Sequence, residues 1–249
     1  MTATTDQRLS WLALVIAVLA VLVVVVPRLF ASYRYRMTVE VQTPNGIKSA
    51  SGVIEVSMRR TFRPLNFGYC SDGSLSTSYS TEVHGDAVTV DLGDGKTVFA
   101  LLRGPDGTGA ADYAEKSWAG PIGYASFCKW SNKREFVSAL KKRSEAIELS
   151  YRQPGGTSVI YPVFVRFGDP SDPQTVRIVD RNDLGADLKG YRIVRIMLKM
   201  TRDPVTRGIE QRLPWLKTVE GPLDPYVPPA GEQTSWPDRV LAADSFLAK

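Results

Sequence analysis

The chain has 249 residues, of which 43% are hydrophobic and 23% charged, a composition that is typical of a folded globular protein and excludes a disordered one. The formal net charge of +5 is moderate and its basic residues are scattered, so we do not expect nucleic acid as a partner. Two cysteines exclude a disulfide framework; Cys70 and Cys128 either form one bridge or lie apart as small buried hydrophobes.

The N-terminus contains a long apolar run, WLALVIAVLAVLVVVV, at residues 11–26. As a helix, residues 9–27 would be about 28 Å long, which nearly matches a hydrocarbon core of about 30 Å. Arg8 and Arg28 flank the run and can reach the two interfaces. We therefore predict a short tail at residues 1–8 and a transmembrane anchor at residues 9–30, through which the lipid bilayer is a partner.

A cleaved signal peptide is the alternative to a retained anchor. The best cleavage point follows Ala31, but Leu29 stands at its third-last place and Arg28 separates it from the apolar run, which favours the anchor. Arg34 and Arg36 also follow the span, so charge bias argues for a cytoplasmic body. Single-span bacterial proteins with a β-rich body usually carry it outside. We expect a single-pass protein of the bacterial inner membrane with an extracytoplasmic body.

Two β-hairpins are predicted next along the chain. Apolar residues alternate with polar ones on both sides of the turn at residues 43–46, namely Met37, Val39 and Val41 before it and Ile54, Val56 and Met58 after it. A second hairpin runs from Val88 through the turn at residues 93–95 to an apolar strand at residues 98–102. The polar stretch between them, from Cys70 to His84, is interpreted as a long loop.

The second half of the chain is predicted to mix helices and strands. A helix is expected at residues 131–149, with Asn132 and Glu135 as a capping box and one apolar stripe formed by Phe136, Val137, Leu140 and Ile147. Strands follow at residues 159–167, 175–179 and 191–200, and Asp203 and Pro204 begin a further helix that ends near Leu213. Residues 221–249 form a proline-rich tail with a short terminal helix, whose Val240, Leu241, Phe246 and Leu247 are expected to dock on the domain rather than on a partner.

These elements define the expected fold class. Strands outnumber helices and come as hairpins, which predicts an α+β protein: an N-terminal transmembrane helix followed by a mainly antiparallel β-sheet domain with two or three packed helices. The globular domain is expected to occupy residues 31–220.

The loop VDRNDLGADLKG at residues 179–190 partly matches an EF-hand. Asp180, Asn182 and Gly185 occupy its first, third and sixth positions, but Leu184 and Tyr191 stand where the fifth and twelfth ligands are needed, so we reject an EF-hand. A looser calcium site remains a candidate, built from Asp169, Asp172, Asp180 and Asp183. We favour the alternative that these side chains form turns and helix caps.

His84 is the only histidine and therefore the one candidate general base of that type, which excludes multi-histidine zinc sites. Cys70, Ser74 or Ser76 could be its nucleophile, with Asp86 or Asp91 orienting it. No G-x-S-x-G motif supports this catalysis. The aromatic stretch at residues 118–130 is a candidate ligand or partner surface, formed by Trp118, Tyr124, Phe127 and Trp130; the alternative is that it packs over its own sheet.

The segments VFVRFGDPSDPQTVRIVDRNDL and TRDPVTRGIEQRLPWL, together with RYRMTVEVQTPNG, resemble a pattern in an uncharacterised bacterial family with an N-terminal hydrophobic segment and an α+β body. This resemblance implies a membrane-associated α+β domain and transfers no catalytic residue. We expect a non-enzymatic role in binding, scaffolding or assembly at the cell envelope, with an envelope protein as partner and no cofactor. The alternative is an envelope hydrolase that uses His84 with Cys70 or a nearby serine; a cytoplasmic adaptor is a third interpretation.

Overall fold

A computed structural model describes residues 11, 14–16, 29–61, 79–105, 108–122, 130–150, 161–219, 221, 223 and 241–248. Ten strands are described: β1 Phe30–Thr43, β2 Gly46–Arg60, β3 Tyr79–Asp86, β4 Val88–Gly93, β5 Lys96–Ala100, β6 Ile147–Glu148, β7 Phe164–Phe167, β8 Val176–Val179, β9 Arg192–Met200 and β10 Leu247–Ala248. Two α-helices are described, α1 Ala110–Ile122 and α2 Trp130–Leu140. Short 3-10 helices lie at Pro173–Thr175, Ala186–Leu188, Ile209–Gln211, Pro214–Lys217 and Ala243–Ser245.

The strands form two sheets in which every described pairing is antiparallel. One sheet has six strands in the order β10-β3-β2-β1-β9-β6, and the other has four in the order β4-β5-β7-β8. The prediction of a mainly antiparallel β-sheet body with few helices is therefore confirmed.

The first predicted hairpin forms the centre of the six-stranded sheet. β1 pairs with β2 from Phe30 opposite Arg59 to Thr43 opposite Gly46. The Thr43 hydroxyl accepts the Asn45 N–H at 3.2 Å and donates to the Gly46 carbonyl at 2.8 Å, which stabilises the turn. The alternating apolar residues on both strands are buried, as their period of two predicts.

The chain passes from one sheet to the other through a single residue. β3 ends at Asp86 and β4 begins at Val88, so Ala87 makes the switch. The second predicted hairpin, β4–β5, follows, with Asp94 at a φ of 52° in its turn. β3 itself was not predicted: residues 79–84 of the expected loop form a strand, because they pair with β2, and residues 62–78 lie outside the described residues.

The end of β5, inside the four-stranded sheet, is buried on both faces. Val98, Ala100 and Leu102 face the six-stranded sheet and the two helices in the main core. The intervening Phe99 and Leu101 face a second core, where they pack with residues of the C-terminal segment, including Ile209, Leu213, Trp215 and Phe246. This double burial explains the unbroken apolar run at residues 98–102.

The C-terminal residues therefore dock on their own domain, as predicted for Leu241, Phe246 and Leu247; Val240 lies outside the described residues. The prediction of a short terminal helix is wrong in detail. A 3-10 turn at Ala243–Ser245 leads into β10, which pairs with the end of β3.

The predicted helices need further corrections. α2 ends at Leu140, and Ile147 lies in β6, where it pairs with Leu198 of β9 instead of extending the helical stripe. Because α2 begins at Trp130, Asn132 lies inside the helix and the expected capping box is wrong.

The helix expected from Asp203 to Leu213 is also wrong. The Asp203 carboxylate binds the Arg36 guanidinium and the Thr201 hydroxyl instead of capping a helix. Gly208 then has a φ of 112°, which an α-helix cannot contain, and only the 3-10 turn Ile209–Gln211 forms.

The expected anchor at residues 9–30 lies outside the described residues except for 11, 14–16, 29 and 30, and β1 already begins at Phe30. No helix made by the described residues is long and apolar enough to cross a membrane. The four described residues of the apolar run, Trp11, Leu14, Val15 and Ile16, have exposed side chains.

Candidate functional site

The four candidate calcium ligands bind their own backbone. Each carboxylate accepts the N–H two residues further on, at 2.8–3.0 Å: Asp169 from Ser171, Asp172 from Gln174, Asp180 from Asn182, and Asp183 from Gly185. Asp172 thereby caps the 3-10 helix Pro173–Thr175. The interpretation of these residues as turns and caps is confirmed, and within the described residues no group of acidic, cysteine or histidine side chains is arranged to hold a metal ion.

A fifth acidic residue of this region makes an ion pair. Asp187 accepts two hydrogen bonds from the Arg166 guanidinium, at 2.8 and 2.7 Å. This contact lowers the pKa of Asp187 to about 2. Arg166 also donates to the Leu184 carbonyl at 2.8 Å, so the pair fastens the 180–190 loop to β7.

His84 lies on β3 and is half-buried. Its Nε2 lies 3.4 Å from the Ser57 hydroxyl on β2. Asp86, one of its expected orienting groups, instead accepts the Ile209 N–H at 2.9 Å. Asp91 accepts the Gly93 N–H. Among the described residues, His84 therefore has a serine neighbour but no carboxylate that orients its ring; Cys70, Ser74, Ser76 and Cys128 lie outside them.

Trp118, the first residue of the aromatic stretch, does not form part of a surface platform. Trp118 is buried, with 3% of its surface exposed, and packs in the main core on α1. It faces inward because α1 places it with Ala110, Tyr113 and Ala114 on one helical face. Tyr124, Phe127 and the Trp130 side chain lie outside what the structure describes.

A buried polar cluster holds the two helices against β1. Lys133 on α2 donates a hydrogen bond to Glu115 on α1, and both residues are buried. Burial raises the pKa of Glu115, against the opposing charge of Lys133. The Tyr33 and Tyr35 hydroxyls donate to the carbonyls of the first turn of α1, at 3.3 and 2.6 Å. These contacts fix where α1 begins.

The start of α1 forms one wall of a cleft in the described part of the molecule. This cleft has a volume of about 710 Å³. Leu102, Leu216 and Leu247 contribute apolar surface, and the opposite wall is the outer edge of β3 at Thr81 and Val83.

Charged residues also line the cleft. Arg103 pairs with Asp244 at 2.7 Å, and both side chains remain partly exposed. Lys217 lines the cleft from the Pro214–Lys217 turn. An apolar surface with a few charged groups beside it is the usual composition of a binding site.

The cleft lies beside backbone groups that the described sheet does not use. β3 pairs with β2 through Glu55–His84, Ser57–Glu82 and Arg59–Ser80, so hydrogen bonds alternate along β3. Thr81 and Val83 consequently direct their N–H and C=O groups to the other side. There β10 pairs only with Gly85 and Asp86, and no other described strand covers this edge.

Sequence reasoning did not find this site. Residues 79–84 have few apolar side chains, and the partners that make them a strand are distant in the chain. Comparisons with protein-family models, curated proteins and solved structures found no match.

Proposed function

We propose that this protein is a membrane-tethered, non-enzymatic binding protein of the bacterial cell envelope, whose ligand is an extended segment of a partner protein added to the free edge of β3. The observation that carries the proposal is the position of that edge: Thr81 and Val83 lie on the wall of the 710 Å³ cleft. Side chains of an added segment would enter the cleft while its backbone pairs with β3.

Strand addition suits these groups because it uses backbone hydrogen bonds for affinity and pockets for specificity. Thr81 and Val83 offer up to two N–H and two C=O groups, each bond contributing about 1 kcal/mol net. Lys217 lies where an acidic side chain of the partner would be received.

The tether is supported by the apolar run at residues 11–26. Its described residues are exposed, with 69% of Trp11 and 61% of Ile16 accessible. Both described cores are complete without them, since their first contributor along the chain is Ala31. Exposed apolar surface of this kind requires a partner, and a bilayer matches its length. Alkaline extraction of membranes tests the tether: the full chain should stay in the pellet.

A site-specific photo-crosslinker tests strand addition. We place it at Lys217 in the full chain. The matched control places it at the exposed Lys189, which precedes the start of β9. A partner adduct is expected at position 217 and not at 189. Thr81→Pro should reduce that adduct at least fivefold, because proline removes the outward N–H of an edge strand and leaves the β2 bonds intact.

Thr81→Val is the matched variant, since it keeps the N–H and changes the side chain by a similar amount; it should retain the adduct. Thermal unfolding checks that Thr81→Pro is folded. An adduct that is equally strong with Thr81→Pro contradicts strand addition. An intramolecular adduct to residues 224–240, identified by peptide mass spectrometry, would show that the chain covers its own edge and would also overturn the proposal.

The runner-up is an envelope hydrolase, for which the contact between His84 Nε2 and the Ser57 hydroxyl is the supporting observation. A fluorophosphonate probe that labels activated serines tests it on the full chain. Labelling that Ser57→Ala and His84→Ala both abolish would favour the hydrolase over the binding protein. Absence of labelling would remove Ser57 as its nucleophile.

A further inference from the structure

A second cavity lies where β9 leaves the six-stranded sheet. β1 pairs with β9 only from Tyr35, which faces Met200, and the Thr201 N–H then donates to the Arg34 carbonyl at 3.1 Å. On this side, residues 30–34 have no strand partner among the described residues. The resulting opening has a volume of about 630 Å³. We name it the basic notch and define it by Arg34, Lys141, Arg143, Lys199 and Arg202.

The basic notch carries an excess of positive charge. Five cationic side chains line it with a single carboxylate, that of Glu55, which Arg34 already binds at 2.6 Å. Lys141, Lys199 and Arg202 are exposed. No carboxylate of a described residue lies within ion-pairing distance of these three. An anionic ligand would therefore meet cations that have no competing internal partner.

Neutral donors are present beside the cations. The Arg34 carbonyl accepts the Thr201 N–H beside the notch, so the alternation along β1 directs the N–H groups of Arg34 and Ser32 to the same side. Ser32 and Ser144, which carry hydroxyls, also line the cavity. Guanidinium, ammonium, N–H and hydroxyl donors converging on one space are the groups that bind phosphate oxygens.

The notch lies at the end of the domain where the N-terminal segment begins. Pro27 ends the apolar run five residues before Ser32, so an extended connection reaches about 17 Å at most. The opposite end of the sheet, where the hairpin turns and the 180–190 loop lie, mixes acidic residues with the basic residues Lys48, Lys96, Lys189 and Arg192. The notch, with five cations and one carboxylate, lies at the end that a tether would hold beside a bilayer.

From this arrangement we infer that the basic notch binds the phosphate of an anionic phospholipid headgroup in the membrane that holds the N-terminal segment. The inference rests on the proposed tether for its lipid source, whereas the phosphate chemistry is that of the notch itself. Bound headgroups would orient the domain and keep the β3 edge at a fixed height above the bilayer.

The test uses the full chain in a neutral detergent with dihexanoyl-phosphatidylglycerol as the probe. Dihexanoyl-phosphatidylcholine controls for lipid without net charge, and glycerol 3-phosphate and inorganic phosphate represent free phosphate. Native mass spectrometry measures the bound probe. We expect the phosphatidylglycerol adduct to exceed the phosphatidylcholine adduct at least tenfold and to weaken as salt shortens the Debye length.

The variant Lys199→Gln/Arg202→Gln should weaken phosphatidylglycerol binding about fivefold for each cation removed. The matched control is Lys189→Gln/Arg192→Gln, which removes two exposed cations before and at the start of the same strand; it should bind as the unaltered chain does. Equal losses in both variants, or no preference for the anionic lipid, overturns the inference.

The remaining outcome concerns the binding of free phosphate. Glycerol 3-phosphate bound as tightly as phosphatidylglycerol would overturn the lipid source in favour of a soluble phosphate ligand. Alkaline extraction reports on the tether separately. If the chain is released from membranes while Lys199→Gln/Arg202→Gln still weakens phosphate binding, the tether is contradicted and the notch chemistry is not.

Discussion

The carboxylate of Asp86 accepts the backbone N–H of Ile209 at 2.9 Å and is almost fully buried. This bond joins the last residue of β3 to the start of the C-terminal segment, across 123 positions of sequence. It is therefore one of the contacts that place this segment against the six-stranded sheet.

Two substitutions of Asp86 should separate the effect of its charge from the effect of its hydrogen bond. Asp86→Ala leaves the Ile209 N–H without its acceptor and is expected to lower the free energy of unfolding by about 1–3 kcal/mol. Asp86→Asn keeps an acceptor oxygen and should cost less than the alanine variant. Urea unfolding measures both; an alanine variant as stable as the asparagine variant would contradict the role of this bond.

Stability should also depend on pH through Asp86. Burial raises the pKa of Asp86, while the Ile209 N–H acts in the opposite direction. A carboxyl whose pKa is raised by folding contributes its stability below the unfolded pKa and loses it as pH rises through the folded pKa. The stability of the unaltered protein relative to Asp86→Asn should therefore fall as pH rises above the ordinary aspartate pKa of about 4. A constant or rising difference in paired urea titrations contradicts this.

Removing one partner of the Glu115–Lys133 pair should lower the free energy of unfolding strongly, whereas replacing both partners by apolar residues should lower it little. Lys133→Met or Glu115→Leu alone leaves one buried charge without its partner, which is expected to cost about 3–5 kcal/mol of unfolding free energy. The double variant Glu115→Leu/Lys133→Met removes both charges and should recover most of that loss. A double-mutant cycle by thermal unfolding measures the coupling, and additive losses would mean that the two groups do not act as a pair.

Arg166 should control the titration of Asp187. Its hydrogen bonds hold the pKa of Asp187 at about 2, so the pair contributes stability above the ordinary carboxyl pKa and loses it as pH falls towards 2. Asp187 is more than half exposed, and the contribution should stay below about 1 kcal/mol. Arg166→Gln is expected to return the Asp187 pKa to the ordinary range in an NMR titration; an unchanged pKa would assign the shift to another group.

Gly104 should tolerate no side chain. A Cβ there would lie 2.8 Å from the Tyr161 carbonyl oxygen and would also collide with the Thr108 hydroxyl. Because a backbone carbonyl cannot rotate away, Gly104→Ala is expected to destabilise the fold by about 1–3 kcal/mol. Gly109→Ala is the matched control in the same bend, since its nearest contacts are at 4.0 Å. Similar melting temperatures for the two variants would show that the bend adjusts.

The parts of the fold that sequence could predict are those whose burial is local and periodic. The β1–β2 hairpin has alternating apolar residues and a Pro-Asn-Gly turn, so its register follows from local chemistry. α1 carried a usable signal as well, because Ala110, Tyr113, Ala114 and Trp118 share the spacing of one helical face. The aromatic stretch that begins at Trp118 instead suggests a ligand surface or a segment packed over the sheet.

The remaining features depend on partners far away in the chain. β3 is a strand because β2 pairs with it, and its free edge exists only because β10 is short, so neither the strand nor the proposed site is visible in residues 79–84 alone. Likewise, Asp203 and Pro204 make a helix start in sequence, yet Arg36 on β1 takes the carboxylate. The cations of the basic notch come from three separate segments of the chain.

The central position of β1 also has a mechanical consequence. It is hydrogen-bonded to β2 over its whole length and to β9 from Tyr35 onward, and it begins at Phe30, the residue nearest the proposed tether. A force that pulls on the N-terminus along the strand axis would load these two ladders together in shear, instead of opening them bond by bond. Such a force reaches β1 first, and the domain would thus resist extraction at that strand.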